Sequence, residues 1–351
     1  MQTVKIPASR EYNVYIEKGL IDKCGEIARE ISKGRKAFII SDSNVAPLYM
    51  ERVKASLEGD DFQVSSFVVE AGESSKNPQN LIEAANLCIE KGLTRSDLVV
   101  ALGGGVITDL GGLLAAMYQR GVALLQIPTS LLSMTDSSVG GKTAVNLESG
   151  KNMFGVFYQP FAVICDPDVL KTLPACEFAN GMAEVIKYAL LRGDRVLEII
   201  KEDNIEPLMD ELIEECVKIK RDYVCEDEFD KGQRQFLNLG HTVGHAIERS
   251  SNLEIPHGSA VAMGMCIIAR ASEKLSFTDK DTVKLTEELV KKYDLPISCE
   301  ISPKTLFENA MADKKREGEN LTYVMIKRAG ECFLHKETTD FMKNILSLGM
   351  E

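Results

Sequence analysis

Residues 98–105 read LVVALGGG, a continuously apolar strand candidate that runs into three glycines. Apolar spacing typical of a helix follows over residues 109–117. Glycines between a buried strand and a helix let backbone N–H groups approach a phosphate at the helix N-terminus, where the helix dipole also favours negative charge. The stretch therefore predicts a dinucleotide site. Its spacing is not the GxGxxG fingerprint, and a tight crossover turn would use the same glycines.

A second glycine loop, DSSVGGKT at residues 136–143, offers hydroxyls, bare backbone and the ammonium group of Lys142. Lys151 and Asn152 follow shortly afterwards, and Arg120 lies upstream. Clustered cations and amides of this kind are typical of a site for a small anion. We therefore expect an anionic substrate beside the cofactor.

Composition limits the function classes that the chain can serve. The 351 residues carry a formal net charge of -12, from 41 basic and 53 acidic side chains, so nucleic-acid and membrane-surface binding are not expected. Nine cysteines without a CxxC spacing favour a reducing compartment. The N-terminal residues lack a secretory pattern, and the longest apolar run, 260–269, is about half a membrane span. We expect a cytoplasmic enzyme.

Short apolar runs rich in β-branched residues alternate with amphipathic segments in the first half of the chain. These runs lie at 37–40, 67–69, 98–102, 122–127 and 162–164. Strands that alternate with helices predict an α/β domain with a mostly parallel, Rossmann-like sheet.

Beyond about residue 174 the pattern changes to apolar stripes of helical period. The stripes lie at 182–192, 208–217, 240–249, 259–275 and 282–293, and strand signals return only near 321–326 and 332–334. We expect an α/β domain over residues 1–174 and a mainly α-helical domain over residues 175–351.

Three of the four histidines fall close together, at His241, His245 and His257. His241 and His245 are spaced i, i+4, so both rings can project from one face of a helix. Two imidazoles and a carboxylate form a common catalytic zinc set. The segment HTVGH lacks the Glu of a zinc protease, which excludes that class. An i, i+4 histidine pair is by itself more often structural, and that interpretation stays open.

Two carboxylates have competing interpretations. Glu184 lies between apolar residues, where a carboxylate is costly to bury unless it is paired or bound to a metal, so it is the best candidate for the missing ligand. A solvated ion pair with Lys187 would explain it equally well. Asp42 follows a strand candidate and can bind a ribose or adenine edge, or simply form an Asx turn or helix N-cap.

Together these segments closely resemble the 3-dehydroquinate synthase family. The resemblance runs from about Val14 to Cys332 and keeps its motifs in order: SDSNV (41–45), GESSK (72–76), GGGVITDLGG (103–112), IPTSLLSMTDSSVGGKTAVN (127–146), GKNMFGVFYQP (150–160), GMAEVIKYALL (181–191), LNLGHTVGHAIE (237–248) and PHG (256–258). The DSSVGGKT and GKNM…FYQP pair is highly specific for this family.

The resemblance implies an NAD-dependent lyase of the shikimate pathway that requires zinc or cobalt. It implies conversion of 3-deoxy-D-arabino-heptulosonate 7-phosphate to 3-dehydroquinate and phosphate. The implied steps are transient oxidation by NAD, phosphate elimination, re-reduction and an intramolecular aldol reaction. The resemblance also implies a homodimer, with NAD bound by the α/β domain and metal and substrate bound by the helical domain.

The resemblance assigns site residues by matching motif. The metal ligands would be Glu184, His241 and His257. The NAD site would be lined by Asp42, Asn44, Glu73, Lys76, Gly104, Gly105, Val106, Asp109, Thr129, Ser130, Thr172 and Leu173, and also by Asp136, Lys142 and Lys151. The catalytic and substrate-binding residues would be Arg120, Asp136, Lys142, Lys151, Asn152, Lys187, Lys220, Arg234, Asn238, His245 and Lys314.

Three positions depart from the family pattern, and two rival activities stay open. Thr108 stands where the family usually has Gly, Ser130 where it has Thr, and Ser259 where it has an acidic residue. Another sugar-phosphate cyclase would share the cofactor and metal motifs but differ around the substrate carboxylate. A glycerol-type NAD-dependent dehydrogenase would share the glycine loop but usually places Asp at the first metal position.

Overall fold

A computed structural model of the chain describes residues 1–252, 254–314 and 320–351, and the side chains of all of these except residues 312–314. The described residues form two compact units. The first unit comprises Met1–Pro174 and Met209–Phe229, and the second comprises Ala175–Leu208 and Asp230–Glu351. Within the described ranges, no helix has the length and apolar content that crossing a membrane requires.

The first unit is built on strands. In chain order they are β1 (Gln2–Pro7), β2 (Glu11–Ile16), β3 (Lys36–Asp42), β4 (Gln63–Val69), β5 (Leu98–Gly103), β6 (Ala123–Pro128), β7 (Lys142–Leu147), β8 (Gly150–Phe157) and β9 (Ala162–Cys165). Seven of them form one sheet in the order β1-β2-β9-β6-β5-β3-β4, while β7 and β8 form a separate hairpin. Every neighbouring pair in the sheet is parallel except β1 with β2.

The helices follow in chain order. They are α1 (Cys24–Ile31), α2 (Ala46–Gly59), α3 (Pro78–Glu90), α4 (Gly105–Met117), α5 (Ala175–Arg192), α6 (Arg195–Lys201), α7 (Met209–Glu226), α8 (His241–Ser250), α9 (His257–Lys274), α10 (Lys280–Lys292), α11 (Pro303–Lys314) and α12 (Phe341–Met350).

Burial explains why the central strands are so apolar. Every residue of β5 and β6 is buried, as expected for parallel strands that helices cover on both faces. The core beside β5 joins strand residues such as Phe38 and Val99 to Leu110 and Leu114 of α4. The core therefore fixes the position of α4 and of the glycines at its start.

The second unit is mainly helical and centres on α9. This helix packs against α5, α8, α10 and α12. The hairpin of β10 (Asn320–Arg328) and β11 (Glu331–Thr338) is antiparallel and completes the unit. Thirteen of the eighteen residues of α9 are buried, which explains why its sequence is apolar on most faces.

The predicted fold class is confirmed, with three differences. Helix α4 begins at Gly105, not at 109, because Gly104 is its N-cap and the residues from Gly105 onward are already helical. The second glycine loop continues into the β7–β8 hairpin, which the sequence analysis did not predict. Helix α7 packs against β1 and β2, so residues 209–229 group with the first unit. The functional division at residue 174 stays a prediction.

Candidate active site

The strand order places the glycine loop at a point where the topology reverses. After β3 the chain places β4 on one side of that strand and then returns to place β5 on the other. Because these strands are parallel, Asp42 at the end of β3 and Gly103 at the end of β5 lie at the same edge of the sheet. Crevices at such points bind nucleotides in open α/β sheets.

Glycines follow the end of β5, so the chain at this edge of the sheet consists mainly of backbone atoms. Gly104 is the N-cap of α4, and Gly105 and Val106 form the first turn. The N–H of Thr129, which follows β6, donates to Gly103 O at 3.0 Å. Ser130 stands where the family has Thr, and its hydroxyl forms a hydrogen bond of 2.9 Å with the hydroxyl of Ser133. A helix N-terminus of this form suits a pyrophosphate.

The outer predicted NAD residues have local structural roles. Asp42 Oδ1 accepts hydrogen bonds from the N–H groups of Asn44 and Val45 at 2.9 and 3.0 Å, which is the Asx turn considered above. Thr172 is the last residue of a short helical turn, Pro167–Thr172, and its Oγ1 lies 2.5 Å from the Tyr49 hydroxyl. Leu173 is the C-cap of this turn. Contact of these residues with NAD stays a prediction.

A polar network joins predicted NAD residues to predicted substrate residues within the first unit. The buried Lys76 forms an ion pair with Asp109 and donates to Asn152 Oδ1 at 2.6 Å. Burial raises the pKa of Asp109 above its ordinary value, although Lys76 opposes that rise. Lys151 Nζ lies 3.9 Å from Glu73 Oε1. Predicted NAD residues and predicted substrate residues therefore contact one another directly.

Asn146, which the sequence analysis did not single out, holds this network together. Its Nδ2 donates to Glu73 Oε1 and its Oδ1 accepts from the N–H of Asn152, both at 2.8 Å. Its own N–H donates to Lys76 O at 2.8 Å. Asn146 ends the TAVN segment of β7, and only the hairpin geometry brings it opposite Asn152.

A second ion pair lies beneath the other glycine loop. Lys220 on α7 is buried and contacts both the carboxylate and the backbone oxygen of Asp136, the latter at 2.6 Å. Thr108, which replaces the family's Gly, places its hydroxyl 3.0 Å from Ser137 Oγ and so joins α4 to this loop. Lys142 and Arg120 are exposed on the first unit.

Three side chains of the second unit converge as a candidate metal-ligand set, called the metal-ligand set below. Glu184 on α5, His241 at the start of α8 and His257 at the start of α9 bring one ligand atom each within 4.8 Å of one another. Glu184 Oε1 lies 3.3 Å from His241 Nε2 and 3.4 Å from His257 Nε2. Glu184 is only 1% exposed.

These separations match ligands that share an ion. Two atoms bound at about 2.0–2.1 Å to a tetrahedral zinc lie about 3.3–3.4 Å apart. A charge-assisted hydrogen bond between imidazolium and carboxylate is shorter, at about 2.7–2.9 Å. The donor set of one carboxylate and two imidazoles therefore fits a divalent metal such as zinc or cobalt.

The other ring nitrogens fix which atom faces the cluster. His241 Nδ1 lies 3.1 Å from Leu239 O, and His257 Nδ1 lies 3.2 Å from Glu248 Oε2. Because both partners are acceptors, each Nδ1 carries a proton. Each Nε2 then holds either a proton shared with Glu184 or a metal ion. Without metal, Glu184 and Glu248 outweigh the effect of burial on His257 and raise its pKa to about 9.

The ion pair between Glu184 and Lys187 is also present. Lys187 contacts Oε2, the carboxylate oxygen that does not face the histidines, and both side chains are 1% exposed. Burial acts to raise the pKa of Glu184, but Lys187 and then His241 hold it well below its ordinary value. The ion pair with Lys187 is therefore present, but the expectation that it is solvated is wrong, because both side chains are buried. Since Oε1 still faces the histidines, the ion pair does not exclude a ligand role for Glu184.

Close helix contacts at two glycines assemble the cluster. A Cβ on Gly258 would lie 2.3 Å from Asn180 O, so α9 begins directly against α5. A Cβ on Gly264 would lie 2.1 Å from Gly240 O, so α8 begins directly against α9. These approaches bring His257 and His241 to Glu184.

A cavity of about 450 Å³ adjoins His241 within the second unit. Asn238 and His245 line it together with Asn309 and Thr322. Arg234, four residues before Asn238, is 1% exposed. Helix α11 ends at Lys314, whose side chain lies outside the described residues. Thus the cavity walls include Asn238 and His245, two of the predicted substrate residues.

Comparison with known proteins agrees with this arrangement. The N-terminal pattern of the 3-dehydroquinate synthase family matches residues 66–180, and the C-terminal pattern matches residues 181–316. The 3-dehydroquinate synthase of Clostridium acetobutylicum is 41% identical over 345 residues, which cover 96% of this chain and 96% of that protein. The enzyme of that name from Streptococcus pneumoniae (strain JJA) is 41% identical over 342 residues, or 95% of this chain and 96% of that protein.

A solved structure of related fold extends the comparison. It is a 2-deoxy-scyllo-inosose synthase in complex with carbaglucose-6-phosphate, NAD+ and Co2+. The TM-score is 0.88 with 26% identity, over 98% of this chain and 99% of that one. Since both halves of the family pattern match in order and the sequence relatives align over nearly their whole length, the chain belongs to the 3-dehydroquinate synthase family.

Proposed function

We propose that this chain is a 3-dehydroquinate synthase, which converts 3-deoxy-D-arabino-heptulosonate 7-phosphate to 3-dehydroquinate and inorganic phosphate. The observation that carries the proposal is the set of Glu184, His241 and His257, whose ligand atoms stand at the separations of a bound metal in a chain of this family. NAD+ and Zn2+ or Co2+ are the cofactors that we propose.

When bound, NAD+ supplies a reversible hydride acceptor and the divalent metal supplies a Lewis acid. Glu184, His241 and His257 would hold the metal. Lys187 keeps the Glu184 carboxylate ionised and oriented through its second oxygen. Gly104 and Gly105 at the start of α4 would hold the pyrophosphate of NAD, with Asp42 and Asn44 further along the same sheet edge.

The remaining polar residues would bind the substrate. Lys142, Asn152, Arg120 and His245 would hold the phosphate, and Arg234 with Lys142 or Lys220 would hold the carboxylate. Several cations are required because the protein as a whole is acidic and repels a substrate that carries both a phosphate and a carboxylate. Lys76 fixes Asn152 for this role through the 2.6 Å hydrogen bond. The ion pair with Asp136 would position Lys220.

Two rival activities predict different products. Another sugar-phosphate cyclase would use a substrate without the carboxylate, and a glycerol-type dehydrogenase would release NADH. The test is to incubate the metal-loaded protein with NAD+ and the heptulosonate phosphate, and to measure phosphate, 3-dehydroquinate and NADH. We expect phosphate and 3-dehydroquinate in equal amounts without net NADH, and loss of both after chelation. Undetectable phosphate release from protein that holds NAD and zinc would contradict the proposal.

The assembly and location that the family implies complete the proposal. We propose a homodimer that works in the cytoplasm. Sedimentation of the purified chain would test the first point, since a single species at the monomer mass would contradict it.

A further inference from the structure

The two histidines of the metal-ligand set are anchored by different groups. The Nδ1 of His241 faces a neutral backbone carbonyl, that of Leu239. The Nδ1 of His257 faces the carboxylate of Glu248 at 3.2 Å. Glu248 is 4% exposed, so a charged group has been buried where the sequence offered no obvious reason for one.

The position of Glu248 on α8 explains how it reaches the cluster. His241, His245 and Glu248 are spaced i, i+4 and i+7, which places them along one face of the helix. His257, at the start of α9, meets this face: its ring centroid lies 5.3 Å from that of His241 and 6.0 Å from that of His245. Glu248 therefore stands behind His257, on the side of the ring away from Glu184.

We propose that Glu248 is the positioning residue for the metal, acting through His257. This proposal rests on the metal site of the proposed function and goes beyond it, because the Glu248 carboxylate faces Nδ1 of His257 and not the Nε2 that faces Glu184. An acceptor at Nδ1 fixes the ring tautomer and directs the Nε2 lone pair at the ion. A carboxylate acceptor also makes the imidazole a stronger electron donor than a carbonyl does.

A charge count shows why a carboxylate is placed there. The negative charge of Glu184 is offset by Lys187 in the buried pair, and the neutral imidazoles add none. Glu248 adds a second carboxylate beside the cluster, and a nearby negative charge favours a divalent cation in surroundings of low dielectric constant. Because a metal would bind Nε2, the hydrogen bond from Nδ1 to Glu248 would remain when the ion is bound.

The test compares metal binding by the full-length protein and its variants. Glu248→Gln preserves shape and an acceptor oxygen but removes the charge, whereas Glu248→Ala removes both. Glu287→Gln is the matched control. Glu287 lies on α10 and forms an ion pair at 2.8 Å with Arg270 of α9, so it too is a carboxylate that contacts the helix of His257. Arg270 lies thirteen residues beyond His257, or about 20 Å along the helix.

Zn2+ affinity is measured by competition with a chromophoric chelator, and ligand geometry by the visible spectrum of bound Co2+. We expect Glu248→Gln to weaken Zn2+ binding about 10-fold and Glu248→Ala up to about 100-fold, with a changed Co2+ spectrum. NAD affinity and the affinity of the Glu287→Gln control should not change. If Glu248→Ala does not fold, Glu248→Gln decides the question.

The outcomes separate this proposal from the proposed function. Wild-type affinity and an unchanged Co2+ spectrum in Glu248→Gln would overturn the role of Glu248 while leaving the metal site intact. An equal loss in Glu287→Gln would overturn it too, because the effect would then be a general loss of helix stability. Wild-type protein that binds neither Zn2+ nor Co2+ would overturn the metal site itself.

Discussion

The predicted nucleotide site of the first unit and the metal-ligand set of the second unit are built in opposite ways. The nucleotide site, called the nucleotide edge below, comprises Gly104 and Gly105 with Asp42 at the same edge of the sheet. The nucleotide edge consists of backbone at the ends of parallel strands, with Lys76, Asp109 and Asn146 in a network behind it. The metal-ligand set consists of single side chains from three helices, held by buried partners. A backbone site depends on the fold as a whole, whereas the metal site depends on a few atoms at fixed distances.

This difference predicts where single substitutions matter most. Glu184→Gln should have the largest effect, because it replaces an anionic ligand by a neutral amide and leaves Lys187 buried without its carboxylate. We expect metal retention to be lost and phosphate release to fall about 10³-fold, since a bound metal stabilises the transition state by several kcal/mol. Elemental analysis after gel filtration measures retention. Unchanged metal content would remove Glu184 from the ligand set.

Lys76→Met tests the network behind the nucleotide edge. It removes charge-assisted hydrogen bonds of about 1.5–3 kcal/mol to Asp109 and Asn152, so the Kd for NAD should rise about 10–100-fold. Calorimetric titration with NAD+ measures the change. Zn2+ affinity should stay at the wild-type value. A parallel loss of NAD affinity and Zn2+ affinity would contradict the prediction that the two sites depend on different residues.

Two glycine substitutions sharpen the contrast further. In Gly258→Ala the new Cβ would meet the backbone oxygen of Asn180 at 2.3 Å, so the start of α9 must move. We expect a loss of about 1–3 kcal/mol in unfolding free energy and weaker metal binding. In Gly105→Ala the new Cβ would lie 3.5 Å from Ser137 Oγ, an ordinary contact. Its stability in urea should match wild type, while its NAD affinity falls.

The last expected effect concerns only the metal-free protein, whose stability should depend on pH. The pKa of His257 is raised from its ordinary 6.5 to about 9, so protonation favours the folded state. This stabilisation is fully present below about pH 6.5 and is lost as the pH rises through 9. Melting temperatures of chelated protein between pH 6 and pH 9.5 should fall over that window, and His257→Gln should flatten the change. An equal fall in both proteins would contradict the assignment.

Sequence reasoning was most successful where a local pattern carries the physics. Buried parallel strands such as β5 read as continuous apolar runs, and the glycines after β5 lead into helix α4. Contact of these glycines with a nucleotide stays a prediction. The i, i+4 histidines predicted one shared helix face, which α8 provides. The family resemblance implied the set of Glu184, His241 and His257, and the ligand atoms of these residues lie within 4.8 Å of one another.

The partners behind these residues could not be predicted in the same way. Asn146 reaches Asn152 only because β7 and β8 pair, and strand pairing leaves a weak signal in short polar segments. Glu248 looks like an ordinary solvated residue of an amphipathic helix until α9 packs against it. Likewise, α7 shares the helical pattern of the second half, and only its contacts with β1 and β2 group it with the first unit.

The most direct test is to restore metal to the chelated protein in measured steps. With saturating NAD+ and heptulosonate phosphate, the rate of phosphate release should rise linearly with added Zn2+ and stop rising at one equivalent per chain. Phosphate release at the full rate from protein that contains no metal would contradict the account.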